Sequence, residues 1–280
     1  MRESRPSLLL IHQVSRLRQA TSMDDLCPLN PDHMPNLRTF GRHAIFRPIY
    51  LFFTEPIIFM VSIMSGIAFA LIYLFTEAMP LIYELFNFSA ESASLPFLAI
   101  GIGLMTGILT RVLDSRILQN HQREGRTIAP EHKLLGFTVG APVLAGALWW
   151  FAWTIPPYVR HLHWLVSTIA LVFIGYALNE FDTVLAGYLA DSYLSYAASG
   201  FATMALLRAC LSATFPLFAS QMFIGLGANI AVSVLAALAT VFCVVPWLFI
   251  KYGEQIRARS KFAKYSLQVY HENGVDKDGY

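Results

Sequence analysis

Forty-two consecutive residues, from Ala209 to Ile250, contain no Asp, Glu, Lys or Arg. A helix rising 1.5 Å per residue crosses a hydrocarbon core ~30 Å thick in ~20 residues. The stretch is therefore too long for one crossing and long enough for two. Gly225-Leu226-Gly227 offers the turn between them. The rest of the chain repeats this spacing. Apolar runs of similar length cover about 49–75, 95–113, 134–153, 164–189, 197–220 and 228–250, and the charges crowd between them. Charged residues make up 14 % of the 280, against ~25 % in a soluble domain, and the mean hydropathy is +0.52. The expected fold class is an all-α integral membrane protein, a bundle of six transmembrane helices.

Three regions follow. Residues 1–48 are polar and basic, with Pro6, Pro28, Pro31, Pro35 and Pro48 limiting helix length. Within them Leu8 to Ile11, Val14 and Leu17 alternate with Arg16 and Arg18 at helical spacing, as in a short amphipathic helix on a membrane surface or an ordinary solvated one. Residues 49–250 hold the spans, and 251–280 form a polar, basic tail. The apolar core at Leu8–Ile11 is shorter than the ~7–15 residues of a cleavable signal. Cys27, Cys210 and Cys243 are odd in number and unrelated in spacing. Buried, inert thiols are expected rather than a disulfide framework or zinc site.

Charge placement sets an orientation. Of the 20 Lys and Arg residues, 18 fall in the head, the tail or the 111–133 region between the second and third spans. On the opposite side lies Arg160, and Arg208 is inside a span. By the positive-inside rule both ends and the 114–133 loop are cytoplasmic. Asn87-Phe88-Ser89 then faces outward and matches a glycosylation sequon.

Ionisable residues inside spans are costly, so they mark either a pathway or a structural pair. The candidates are Glu180 and Asp182 in the fourth span, Arg208 in the fifth, and Asp191 near the turn between them. Glu180 and Arg208 lie equally far from that turn, roughly 20 Å. A Glu180–Arg208 pair is expected, serving a substrate or proton site or simply fastening two helices. Asp182 points about 200° around the helix from Glu180 and cannot share its face. Glu55 and Glu77, at the ends of the first span, are expected at headgroup level. Glycines 101, 103 and 107 in the second span suit close helix packing, and Trp149, Trp150 and Trp153 suit an interfacial belt. Tyr73, Trp149, Trp150 and Tyr176 could alternatively line a cavity for apolar or cationic guests.

There is no Gly-rich phosphate loop, Gly-x-Ser-x-Gly elbow, His-Glu-x-x-His or Cys-x-x-Cys pattern. An enzyme, an ATP-driven pump, a metal site and a cofactor are unsupported, as is a nucleic-acid partner. Transport would draw on an ion gradient.

Several short motifs, in order along nearly the whole chain, resemble the fungal drug:proton antiporters of the major facilitator superfamily. Glu3-Ser4-Arg5-Pro6 resembles the Pro-Glu-Ser-Arg-type signature after their sixth helix, and Arg47-Pro48 with Glu55-Pro56-Ile57 opens the first span. Pro130-Glu131-His132-Lys133-Leu134 resembles the Pro-Glu-x-Arg-Leu before helix nine, which Phe151-Ala152-Trp153-Thr154 ends. Tyr188-Leu189-Ala190-Asp191-Ser192-Tyr193, Phe215-Pro216-Leu217-Phe218 and Ile256-Arg257-Ala258-Arg259 continue the series.

The resemblance implies the C-terminal half of a twelve-helix exporter: the central cytoplasmic loop plus helices seven to twelve, with drugs, polyamines or secondary metabolites expelled in exchange for protons at the plasma membrane. Asp191 and Arg208 fall on positions that the family also fills with charge. The family's first six helices have no counterpart, and Met1 starts inside a motif. A truncated gene model, a pseudogene remnant or an internal start is expected, with activity requiring an N-terminal half or a second copy. The alternative is a non-transporting membrane remnant or interaction protein.

Overall fold

The computed structural model describes residues 13–18, 46–89, 91–123, 133–159, 161–193, 196–260 and 262–264. Contacts divide the chain into two units, residues 1–46 and 47–280. In the first, residues 13–18 form a short helix whose side chains are mostly exposed, Leu17 included. Leu8–Ile11 and the motif residues Glu3, Arg5 and Pro6 lie outside the described residues, as do Cys27, Pro130 and Glu131.

The second unit is helical, with no strand among the described residues. Its helices are α1 (Arg47–Thr54), α2 (Pro56–Glu84), α3 (Phe97–Arg123), α4 (Leu135–Thr154), α5 (Trp164–Tyr193), α6 (Ala197–Leu226), α7 (Ala228–Phe242) and α8 (Val244–Arg259). Six helical segments are long and apolar enough to cross a membrane, with α7 and α8 together forming the sixth.

Prolines set the breaks. Pro56 begins α2, and the preceding Glu55 is extended at φ −110° and ψ 107°, the conformation a following proline favours. The first span therefore starts at Pro56 and runs to Glu84, displaced toward the C-terminus from the expected 49–75. Glu77 consequently lies within α2, on its exposed side, rather than closing it. In the sixth span the ring of Pro246 conflicts with the carbonyl four residues earlier, and that residue, Phe242, is the last of α7. Between α6 and α7, Gly227 has φ +83°, a conformation that suits glycine. This is the turn expected there.

The bundle is organised around α5, which packs on α2, α3, α4 and α6, while α2 lies along α6 and α4 along α7. Helix association in lipid draws on dispersion packing and small residues rather than on expulsion of water. Where α3 crosses α5, a Cβ on Gly103 would run into the backbone of Val172 to Tyr176, and one on Gly175 into the backbone of Ile100. The two helix backbones touch at this point. Gly101, by contrast, faces open space. Aromatic edges fill the centre, with Phe137 and Phe181 ring centroids 4.9 Å apart and Phe75 and Phe151 5.9 Å apart. Asn229 donates through Nδ2 to the carbonyls of Ala152 (2.7 Å) and Ile155 (2.8 Å), satisfying the C-terminal end of α4 from α7.

Burial is uneven. The α2 span is 61 % buried over its apolar window and the α6 span 11 %. Cys210, on α6, is exposed and Cys243 half-buried, and both are free thiols; the expectation of a buried Cys210 fails because it sits on this outer helix.

Candidate functional site

The α5 helix carries two carboxylates separated by one residue, and the helical turn sends them to opposite neighbours. Glu180 is buried, 2 % exposed, between α3 and α4. The Thr110 hydroxyl lies 2.7 Å from Glu180 Oε1 and 3.0 Å from the Gly107 carbonyl, and its single proton can serve one at a time. Three glycines make the space. A Cβ on Gly136 would collide with Glu180 Oε2, one on Gly140 would press on the Glu180 stem, and one on Gly107 would collide with the Asn179 amide. Among the described residues no basic group lies within 4.0 Å of the Glu180 carboxylate.

Asp182 faces α2 and α6. Its Oδ1 accepts from Ser65 Oγ at 3.0 Å and from Arg208 Nη1 at 3.2 Å. The Arg208 guanidinium also lies 4.3 Å from the centroid of the Phe69 ring, a favourable stacking for a weakly hydrated cation. Arg208 and Asp182 are 30 % and 29 % exposed, so their pair borders open space.

The expected Glu180–Arg208 pair is thus corrected: Arg208 pairs with Asp182. The depth argument placed the guanidinium within one helical turn of the right residue. It ignored phase, because the side of α5 that meets α6 carries Asp182. The expectation that the two carboxylates cannot share a face holds.

Asp191 accepts from Lys133 Nζ at 2.8 Å, joining the start of α4 to the end of α5. With exposures of 32 % and 42 %, this pair adds at most ~1 kcal/mol. Here a described residue of the 130–134 motif meets a candidate site residue.

A fifth polar group escaped the sequence argument. Glu55, immediately before the first residue of α2, is 4 % exposed, and its Oε2 accepts from the buried Tyr193 hydroxyl at 2.9 Å. The only signal was Pro56, which turns the chain at Glu55 and directs its side chain inward. Tyr176 lies beside Thr110 and Glu180. Tyr73 is exposed, and Trp149 bonds to Thr240 through Nε1 at 3.1 Å. His163 accepts from the Leu165 amide at 3.3 Å, capping α5. No group of three or more His, Cys, Asp or Glu residues among those described could hold a metal ion.

A bundle of six apolar spans, with acidic residues inside one of them held by a hydroxyl and by an arginine, defines a multi-pass membrane protein built to accommodate charge within the bilayer. Comparison with known proteins gives that class a family. The chain is 34 % identical over 266 residues to the multidrug transporter TPO1_2 of Candida glabrata, covering 95 % of this chain and 46 % of the relative. It is 31 % identical over 265 residues to the major facilitator superfamily multidrug transporter FLU1 of Candida albicans, covering 94 % and 43 %. With the efflux pump FUBT of Fusarium oxysporum it shares 36 % identity over 230 residues, covering 81 % and 38 %. The chain belongs to the major facilitator superfamily, and these relatives are fungal proteins named as multidrug transporters and efflux pumps. It spans about half the length of the relatives it matches. No protein-family model matches it, and no solved structure does.

Proposed function

We propose that this chain is the C-terminal six-helix half of a proton-coupled efflux transporter for drugs, polyamines or secondary metabolites. It would work with a complementary six-helix half, whichever polypeptide supplies it, in the plasma membrane with both ends cytoplasmic. Major facilitator transporters bind cargo at the interface of two halves and alternate access by rocking one against the other. The observation that carries this reading is the state of α6. This helix bears Arg208, yet only 11 % of its apolar window is buried, and a charge facing hydrocarbon is costly. A second half over the α2–α6 face would give the Asp182–Arg208 pair a polar, cargo-lined cleft to border. In this reading Asp182 and Arg208 contact cargo, Glu180 exchanges the proton, and Asp191 with Lys133 ties the cytoplasmic ends of α4 and α5.

The test is retention of a fluorescent cationic drug in yeast lacking its own exporters. Cells co-expressing this chain and the N-terminal half of a relative should retain less drug than cells expressing either alone. The difference should vanish with a protonophore and with Glu180→Gln. Equal retention in co-expressing and empty-vector cells would leave the chain a non-transporting membrane protein.

A further inference from the structure

Glu180 lines a cleft that lies within this half. The cleft sits between α3, α4 and α5 and has a volume of about 680 Å³, far larger than the ~30 Å³ taken by one water. On α5 it is lined by Glu180, Thr183, Val184, Gly187 and Tyr188, of which Glu180, Thr183 and Gly187 are three and four residues apart and so form one stripe along the helix. Asp191, four residues beyond Gly187, continues that stripe and holds Lys133, which lines the other end of the cleft. Eleven residues separate Glu180 from Asp191, about 16 Å of helix. The opposite wall adds Thr110, Arg111, Asp114 and Ser115 from α3. Polar side chains thus recur along a cleft whose remaining lining side chains are aliphatic, from Ile108, Val112, Leu113 and Ile117 on α3 and Leu135 and Val139 on α4.

We infer that this cleft is the water-filled path by which protons reach and leave Glu180, separate from the face that carries Asp182 and Arg208. The inference rests on the proposed role of Glu180 as the proton-exchanging group. In each exchange hydronium gives a proton to one carboxylate oxygen, forming an O–H bond and leaving water, and the reverse step returns it. The groups facing Glu180 are Thr110, Arg111 and Asp114 from α3, Gly136 and Gly140 from α4, and Tyr176 from α5 itself. Lys133 and Asp191 stand at the far end. Arg111 and Asp114 supply one charge of each sign, so the path holds neither a net anion nor a net cation next to the carboxylate. The second face of α5 gives cargo and proton separate doors.

Gly187 provides the means to close the path, because a side chain added there meets nothing within 4 Å. The experiment follows the carboxyl infrared band of the purified 280-residue chain in lipid films during pH jumps, with Glu180→Gln identifying the band. Gly187→Trp should leave the band in place and slow its response about tenfold or more, an added barrier of about 1.4 kcal/mol. A second arm avoids any effect on folding. Thr183→Cys, in a chain with Cys27, Cys210 and Cys243 replaced by serine, is treated after purification with a water-soluble thiosulfonate. Modification at Thr183→Cys should slow the exchange in the same way. An unchanged rate in Gly187→Trp and in modified Thr183→Cys overturns the route while leaving Glu180 as the proton site. Failure of the thiosulfonate to react at Thr183→Cys also overturns it, as a lipid-filled cleft would. Absence of any titrating band that depends on Glu180 overturns the route and the reading beneath it together.

Discussion

Gly136 and Glu180 face each other across the α4–α5 contact so closely that a single methyl group on the glycine would occupy the position of the Glu180 carboxylate oxygen. The carboxylate thus depends on the absence of a side chain on the neighbouring helix as much as on its hydrogen bond to Thr110.

Gly136→Ala should therefore destabilise the bundle, by about 1–3 kcal/mol as for other overpacked interiors. Glu180→Ala in the same chain removes the obstructing carboxylate and should restore part of that loss. Gly101→Ala, facing open space, should not destabilise the bundle. Thermal unfolding in detergent, followed by size-exclusion chromatography of a fluorescently tagged chain, measures all three. Equal behaviour of Gly136→Ala and Gly101→Ala would refute the contact.

The Asp182–Arg208 pair predicts a coupling. Arg208→Leu leaves Asp182 with the Ser65 hydroxyl, and Asp182→Leu leaves the guanidinium without its carboxylate acceptor. Each single change should cost about 1–3 kcal/mol. The double mutant should cost less than the sum of the singles, with an interaction energy of at least about 0.5 kcal/mol. Glu180→Gln combined with Arg208→Leu should be additive, since no contact joins those residues. A coupling found for Glu180 instead of Asp182 would restore the pairing that depth alone suggested.

That contrast shows how far the sequence reaches. The period of charge-free runs is a one-dimensional property, so it locates six spans, with ends that miss by up to nine residues, and the Gly227 turn. Depth along a helix is equally linear, which is why Arg208 was placed within reach of a carboxylate. Rotation about the helix axis is set by which neighbours a helix acquires, and that depends on the whole bundle. Hence the 200° separation of Glu180 and Asp182 was legible, while the side that meets Arg208 was not. The burial of Glu55 was not legible for a related reason: the sequence shows that it stands at the end of a span, but not that Tyr193 packs over it. The glycines around Glu180 were legible only in part, because the sequence shows that Gly103 and Gly107 are small but not what they make room for.

Tyr193 and Glu55 give a third prediction. Both are buried, and the tyrosine hydroxyl donates to the carboxylate across 138 residues of sequence. Tyr193→Phe leaves a buried oxygen without that donor and should cost about 1–3 kcal/mol. Glu55→Gln, whose amide oxygen can still accept from the hydroxyl, should cost less. The same unfolding assay decides, and the reverse order would mean that the carboxylate's charge, rather than the hydrogen bond, holds α2 to α5.

Orientation supplies the last prediction, since nothing in the packing distinguishes one side of the membrane from the other. The signal is the placement of 18 of 20 basic residues in the head, the tail and the 111–133 region. Each Lys or Arg left on the outer side would have to be carried across the bilayer during insertion, and this cost favours both ends inside. Ser92 lies in the connection between α2 and α3, and Lys264 follows α8. In a chain whose three cysteines are replaced, an impermeant maleimide should label Ser92→Cys in intact cells. Lys264→Cys should be labelled only after permeabilisation. The opposite pattern would place the 111–133 region outside. Arg111, Asp114 and the Lys133 end of the Glu180 cleft would then open to the exterior, and the direction in which a proton could drive cargo through this half would be reversed.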